Sequence, residues 1–300
     1  MAADARDMKT DRLSLSVVVA SHNAHASIEV CLSALAAQHP VEEAEIIVVD
    51  NSTDGTTEII RQQFPHVRLV VSPPSVLIPE LWAIGIRQTK GDIVALTTAH
   101  CVPAKDWLSC IRQAHESPAA AVGGAIENLK SASVVDWAVY LCRYSRYMLP
   151  LQESFVSEIA GDNASYKRAY LDRYPHTWRQ GFWEPTVHAE FRRVGLPLLL
   201  APSIVVCHMK SFGLWSFIRQ RFQHGIRFGQ WRASHLVGVQ RIVYRVCFPV
   251  IPFLLLARIG RQVLAKRRHR RQFLVSLPLL VLFLLSWAAG EVTGSLRGLE

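Results

Sequence analysis

The sequence predicts an α/β fold, a mostly parallel sheet flanked by helices, and three observations predict it. Short apolar, β-branched runs recur early in the chain: "LSLSVVVAS" (13–21), "AEIIVVD" (44–50), "VRLVVS" (67–72) and "DIVALT" (92–97). Between them lie segments whose apolar residues repeat with the period of a helix. Strands alternating with helices of about 10 to 15 residues give parallel neighbours joined by right-handed crossovers.

Each element follows from its own residues. The first run carries Val17, Val18 and Val19, and such an unbroken branched stretch suits a strand covered on both faces. In "ASIEVCLSALAAQ", Ile28, Cys31, Leu32 and Leu35 share one helical face. The second run ends at Asp50 in the polar turn "NSTDGT", and "TTEIIRQQF" supplies a helix before the third. A proline-rich loop, a helix around "PELWAIGIRQTKG" and the fourth run follow. That run leads into Thr98-Ala99-His100, read as a polar turn, with a helix expected from near Pro103. In "AAAVGGAIEN" (119–128) a short strand is expected, Gly123 and Gly124 permitting close backbone approach. An amphipathic stretch "VVDWAVYLCRYSRYM", a helix near "TVHAEFRRVG" and a strand "LLLAPSIVVCH" (198–208) complete the pattern.

Half of the 300 residues are apolar, which excludes a disordered chain and allows a sizeable core. The net charge of +9 is unevenly placed: from Phe212 onward fourteen Lys/Arg face two Glu, which leaves residues 1–211 at −3. The basic part flanks two apolar runs, "VCFPVIPFLLLA" (246–257) and "FLVSLPLLVLFLLSWAA" (273–289). Its expected partner is therefore a membrane and not nucleic acid, whose binding face would interleave cations with exposed polar and aromatic groups. The first run holds Pro249 and Pro252 and falls short of the about 20 residues needed to span, so it is expected to be interfacial or re-entrant. The second is a transmembrane candidate, and the positive-inside rule keeps the cluster at 266–271 in the cytosol. Six scattered cysteines (31, 101, 110, 142, 207 and 247) form no C-x-x-C pair, so neither a zinc cluster nor a disulfide scaffold is indicated. The start, "MAADARDMKTDR", has no apolar h-region. The expected organisation is a disordered 1–12, a cytoplasmic domain over 13–230, and a membrane-associated helical region over 231–300.

In open parallel sheets ligands sit beyond the carboxyl ends of the strands. The residues there are Ser21-His22-Asn23, Asp50-Asn51-Ser52, Ser72 and Thr98-Ala99-His100. Taken in order, "SVVVASHN", "CLSAL", "EIIVVDNSTDGT", "GDIVAL" with "CVPAKDWL", "GDNASYKR", "FRRVG" and "VVCH" resemble the inverting glycosyltransferases of family 2, over about residues 14–230. The resemblance implies the GT-A fold. It also implies inverting transfer from a nucleotide diphosphate sugar to a hydroxyl of a lipid-linked or polysaccharide acceptor, a step of cell-envelope polysaccharide biosynthesis.

On the donor side, Asp50 can accept hydrogen bonds from a base or from ribose hydroxyls, with Ser21, Asn23 and Ser52 lining the nucleotide. Its other reading is a turn former beside Asn51, Asp54 and Gly55. Ser21 or Asn23 could also cap the helix that follows. Thr98, His100 and His208 would face the diphosphate. On the acceptor side, "GDNASYKR" resembles the family's Gly-x-Asn loop, with Asp162 and Asn163 for sugar hydroxyls and Lys167 and Arg168 for phosphate. The family's Glu-Asp pair falls on Trp183-Glu184. Glu184 would be the base that deprotonates the acceptor, with the Trp183 ring as a stacking surface; the same carboxylate could instead simply open the helix there.

Three departures stand beside these matches. Ala20-Ser21-His22 replaces Pro-x-Tyr, Leu81-Trp82-Ala83 replaces Ala-Arg-Asn, and Thr98-Ala99-His100 replaces Asp-x-Asp. Magnesium and manganese prefer oxygen ligands, so an Asp-x-Asp type of site is not expected. Either His100 and His208 share a manganese or zinc ion, or protonated histidines and a cation such as Lys210 stabilise the diphosphate without metal. An alternative function is a non-catalytic GT-A relative that binds a nucleotide, a sugar or a partner enzyme.

Overall fold

A computed structural model describes residues 13–38, 44–129, 131–209, 211–235 and 250–297. The expectations for residues 1–12, for Lys210 and for 246–249 of the first apolar run lie outside the described residues.

Four strands, β1 (Leu15–Ser21), β2 (Ala44–Asp50), β3 (Arg68–Val71) and β4 (Ile93–Thr98), alternate with α1 (Ile28–Ala36), α2 (Thr56–Gln63) and α3 (Ile78–Ile86). All four are parallel, in the order β3-β2-β1-β4. Residues of β1 are buried along its whole length, which is why both of its faces are apolar. In register, Ser21 lies beside Asp50, and Ala20 beside Thr98. The carboxyl ends of the three central strands therefore finish level with one another, and that edge is where a ligand can meet several strands at once.

Beyond β4 the sheet turns antiparallel. The remaining elements are β5 (Cys101–Pro103), α4 (Trp107–Ala114), β6 (Ala121–Asn128), α5 (Val134–Tyr144), β7 (Ser154–Val156), β8 (Asn163–Lys167), α6 (Arg168–Arg173), α7 (Glu184–Arg193) and β9 (Leu198–His208). Among the described residues the sheet has nine strands, in the order β3-β2-β1-β4-β8-β6-β9-β5, with β7 added on β9. The helix expected from near Pro103 begins instead at Trp107. Residues 101–103 form a short edge strand pairing Pro103 with Val206, a position where the missing proline N–H is tolerated. Leu81, Trp82, Phe182, Val187 and Phe191 join Val18, Val49 and Leu96 in one core cluster, so α3 and α7 are fixed on the sheet by packing.

The chain forms two compact units, residues 1–127 with 149–209, and residues 128–148 with 210–300. The first holds the sheet. The second holds α5, α8 (Leu214–His235), α9 (Ile251–Lys266) and α10 (Arg270–Arg297). The transmembrane candidate at 273–289 lies inside α10, and Arg270–Leu296 is long and apolar enough to cross a membrane by length and composition. The described part of the shorter apolar run belongs to α9, which continues to Lys266.

Candidate active site

At the carboxyl ends of β1 and β2 two loops are tied together. Asn51 N donates to Ser21 O (3.1 Å), and Ser72 N to Asp50 O (2.9 Å). Asn23 adopts a left-handed conformation (φ 47°), which asparagine tolerates better than most residues. Its N–H donates to Ser52 Oγ (2.8 Å) while its Oδ1 accepts from Thr53 N (2.9 Å). Asn23 thus commits its N–H and its Oδ1 to the neighbouring loop. Neither it nor Ser21 caps α1, whose N-cap is Ser27.

Asp50 is fully buried, at 0% exposure. Its Oδ1 accepts from Ser52 Oγ (2.6 Å) and its Oδ2 from Thr57 Oγ1 (2.5 Å), in the first turn of α2. The turn reading is therefore too small a role: the carboxylate anchors a loop and a helix start. Ser21 Oγ is buried with no hydrogen-bond partner among the described residues.

Thr98 closes β4 and is itself a strand residue, not a turn. The next two residues are stitched on both sides: Ala99 N donates to Ala20 O (2.9 Å), and His100 O accepts from Met209 N (2.7 Å). His100 Nδ1 meets Ser27 Oγ at 3.0 Å. His208, at the end of β9, pairs with Cys101 across β5, so both histidines belong to one corner of the sheet and both are buried. A carboxylate also reaches this corner. Asp162, in the loop before β8, accepts from Thr98 Oγ1 at 3.3 Å, and its main-chain oxygen accepts from Thr97 Oγ1 at 3.0 Å. Asp162, expected on the acceptor side, thus lies at the end of β4 beside the residues expected for the donor.

Glu184 opens α7. Its Oε1 accepts from Gly161 N (3.1 Å), one residue from Asp162, so its carboxylate is directed to the loop before β8 and not only to its own helix. A methyl group on Gly161 would stand 2.6 Å from Glu184 Oε1 and 2.8 Å from the Trp82 ring. Only glycine leaves room for that approach. Trp82, whose indole N–H donates to Thr97 O (2.8 Å), packs beside Gly161 and was not singled out by the strand-end rule. The departure at Leu81-Trp82-Ala83 was its signal. Trp183, the N-cap residue of α7, is 42% exposed.

Three expectations are corrected. Asn163 does not present its amide to a ligand: it is buried, Nδ2 donates to Ala125 O (2.8 Å) and Ile204 O (3.0 Å), and Oδ1 accepts from the Trp107 indole (2.8 Å). It braces three strands and a helix. Lys167 and Arg168 point to the wrong end of the sheet, because β8 is antiparallel to β4: Asn163 sits beside Thr97, but Lys167 beside Ile93. Four residues of strand separate those ends by about 13 Å. There Lys167 Nζ donates to Ser117 O (2.8 Å), and Arg168 to Gly91 O (2.6 Å).

Among the described residues no three His, Cys, Asp or Glu side chains converge on a point that could hold a metal ion. Asp162, His100 and His208 do not form such a group. A divalent ion bound there would need the phosphate oxygens of a substrate and water to complete its shell.

Residues 16–174 match the family described as glycosyl transferase family 2. Over 99 residues the chain is 32% identical to glycosyltransferase AglE of Haloferax volcanii. That match covers 31% of this chain and spans only 33% of the curated relative's length. Among solved structures the chain is similar to mannosyltransferase PcManGT from Pyrobaculum calidifontis in complex with GDP-Man and Mn2+ (TM-score 0.58, 19% identity, 94% of this chain and 88% of that one). It is also similar to S. aureus TarS 1–349 in complex with UDP-GlcNAc (TM-score 0.51, 15% identity, 93% and 91%). At these identities the likeness shows the fold, GT-A.

Proposed function

This chain belongs to glycosyltransferase family 2, and we propose that it moves a sugar from a nucleotide diphosphate sugar to a hydroxyl of a lipid-linked or polysaccharide acceptor, with inversion, at a membrane. The observation that carries the reading is the Glu184 carboxylate held on Gly161 N–H, next to the Asp162 loop. In this reading Glu184 takes the acceptor hydroxyl proton as the oxygen attacks the anomeric carbon. The bond to the diphosphate breaks in the same step and its electron pair leaves with the phosphate. One displacement by one nucleophile inverts the centre.

Asp50, with Ser21, Asn23 and Ser52 around it, is assigned to the nucleoside, and Thr98, His100 and His208 to the diphosphate. Trp183 offers its exposed ring to a sugar of the acceptor. The relatives in complex with GDP-Man and UDP-GlcNAc support a nucleotide-sugar donor. Mn2+ in one of them supports a divalent ion, manganese or magnesium, which here would be held by Asp162 and His208 and would offset charge on the departing diphosphate. In the domain assignment, 13–230 is catalytic and faces the cytoplasm, and 231–300 is membrane-associated.

Thr98 in place of a carboxylate favours a second reading, a GT-A relative that binds a nucleotide or sugar without turnover. Turnover of the full chain in detergent, across a panel of UDP- and GDP-sugars with lipid and polysaccharide acceptors, separates the two. Release of nucleoside diphosphate coupled to an inverted product supports transfer. Binding without release under every condition establishes the second reading.

A further inference from the structure

The second compact unit contains a feature that bears on how the chain meets a membrane. Helix α10 is clamped by protein along both halves. In its first half Ser276 Oγ lies 3.5 Å from Val134 O of α5. In its second half it runs against α8: Phe217 meets Phe283 edge-on at 4.7 Å, Ser286 Oγ donates to Ile218 O (2.8 Å), and Phe228 lies 5.5 Å from Trp287. The two backbones touch through paired glycines. A methyl group on Gly225 would stand 2.1 Å from Trp287 O, one on Gly229 2.1 Å from Glu291 O, one on Gly290 2.0 Å from Phe222 O, and one on Gly294 2.0 Å from Ile226 O. Contacts advance in the same direction on both chains, so α8 and α10 are parallel with a small-x-x-x-small seam on each.

This seam decides what α10 can do. If it crossed a bilayer, α8 would be carried to the same depth. With it would go the exposed Arg219, Gln223 and Arg227, facing hydrocarbon, a position that polar groups avoid. Glu291 lies in the seam too, buried and 3.2 Å from Arg232. The part of α10 ahead of the Phe217–Phe283 contact, residues 270–282, is well short of the about 20 residues needed to span.

The opposite faces are apolar and bare. On α9, Phe253, Leu254 and Leu264 are exposed, and on α10 Leu274, Val275 and Leu282 are exposed at helical spacing. Arg258, Arg261, Arg267, Arg270 and Arg271 are exposed beside them, and from Val250 to Gly290 there is no Asp or Glu. An apolar stripe bordered only by cations complements the acyl chains and headgroups of an anionic bilayer.

We propose that α9 and α10 lie in the plane of an anionic membrane surface, entering one leaflet by these faces, and that α10 does not cross. This rests on the membrane association proposed above and specifies its geometry. The test places single cysteines at Arg270→Cys and Leu296→Cys, one at each end of α10, in a full chain otherwise freed of cysteine. Each is probed with a membrane-impermeant maleimide in sealed inside-out and right-side-out vesicles. Expected is the same side for both: labelled together in one preparation and protected together in the other until detergent is added. Labelling from opposite sides overturns the in-plane geometry but leaves membrane association standing. Flotation of the purified full chain with vesicles of phosphatidylcholine, alone or mixed with phosphatidylglycerol, supplies the second measurement. Binding should require phosphatidylglycerol and weaken about tenfold or more in the Arg270→Ala/Arg271→Ala double variant. No binding to either vesicle overturns both the geometry and the membrane association, and sugar transfer to a soluble acceptor then still reports the catalytic reading independently.

Discussion

Thr98 Oγ1 lies 3.3 Å from Asp162 Oδ1 at the carboxyl end of β4. A family that places acids directly after this strand would have them here; this chain has a hydroxyl there and brings a carboxylate from a loop 64 residues further on. Asp162 is therefore the candidate for charge control at the diphosphate. Asp162→Asn keeps an oxygen to accept from Thr98 but loses the charge. Transfer should fall about 10²-fold or more while the fold persists. The unsubstituted chain tests the metal. Mn2+ alone should show no binding to the nucleotide-free chain by calorimetry, because one carboxylate is too few ligands, and should bind together with a nucleoside diphosphate. Tight uptake of Mn2+ by the free chain would contradict this assignment.

Glu184→Gln preserves the oxygen that accepts from Gly161 N–H and removes the base. Turnover is expected to drop about 10²- to 10⁴-fold with donor affinity and melting temperature nearly unchanged. If turnover survives and the protein melts earlier, Glu184 serves the helix and the loop, and the base lies elsewhere.

Asp50 anchors the loop and the start of α2, and one substitution tests both that anchoring and its assignment to the nucleoside. Asp50→Asn weakens the acceptance of two hydroxyl hydrogen bonds in a fully buried place and should destabilise the protein by about 1–3 kcal/mol. Nucleotide affinity, measured at a temperature where the variant is folded, should also fall. A variant with full stability and reduced affinity would mean that the bonds to Ser52 and Thr57 contribute nothing to the fold.

His115 and His188, both buried, should make the protein acid-sensitive. Burial, with Lys167 nearby, pushes the His115 imidazole down to about 3, and burial, with Arg192 nearby, does the same to His188. Both stay neutral in the fold while the unfolded chain protonates them below about 6.5. The unfolded state then binds more protons, so stability is complete above pH 6.5 and declines as pH falls toward 3. The decline approaches about 1.4 kcal/mol per pH unit for each histidine. Denaturant titrations between pH 7 and 4 should show this slope, and His188→Gln should reduce it by one proton. An unchanged slope in that variant would place the protonation elsewhere.

In the helical unit, Gly290→Ala puts a methyl group 2.0 Å from Phe222 O. The helices must separate, at a cost of about 1–3 kcal/mol. Thermal melts of the full chain followed by helical circular dichroism should show an earlier transition. A melt identical to that of the parent would mean the two backbones are not in contact.

The chain's local pattern determined the elements and the parallel half of the sheet. Val17–Val19, the valines before Asp50 and the run 93–96 are buried on both faces, and that requirement is written in consecutive residues. Strand ends follow from strands, so Ser21, Asp50 and Thr98 were legible as one edge. The short strand at 101–103 was not, because three residues carry too little periodicity to outweigh the expectation of a helix. Only the tertiary structure decided what the antiparallel half does. The register of β8 against β4 turns Asn163 into a brace, sends Lys167 and Arg168 to the far end and delivers Asp162 to Thr98. The glycine seam of α8 and α10 is likewise a fact of docking. Pairing between segments dozens of residues apart depends on which surfaces cover each other, and no local period records that choice.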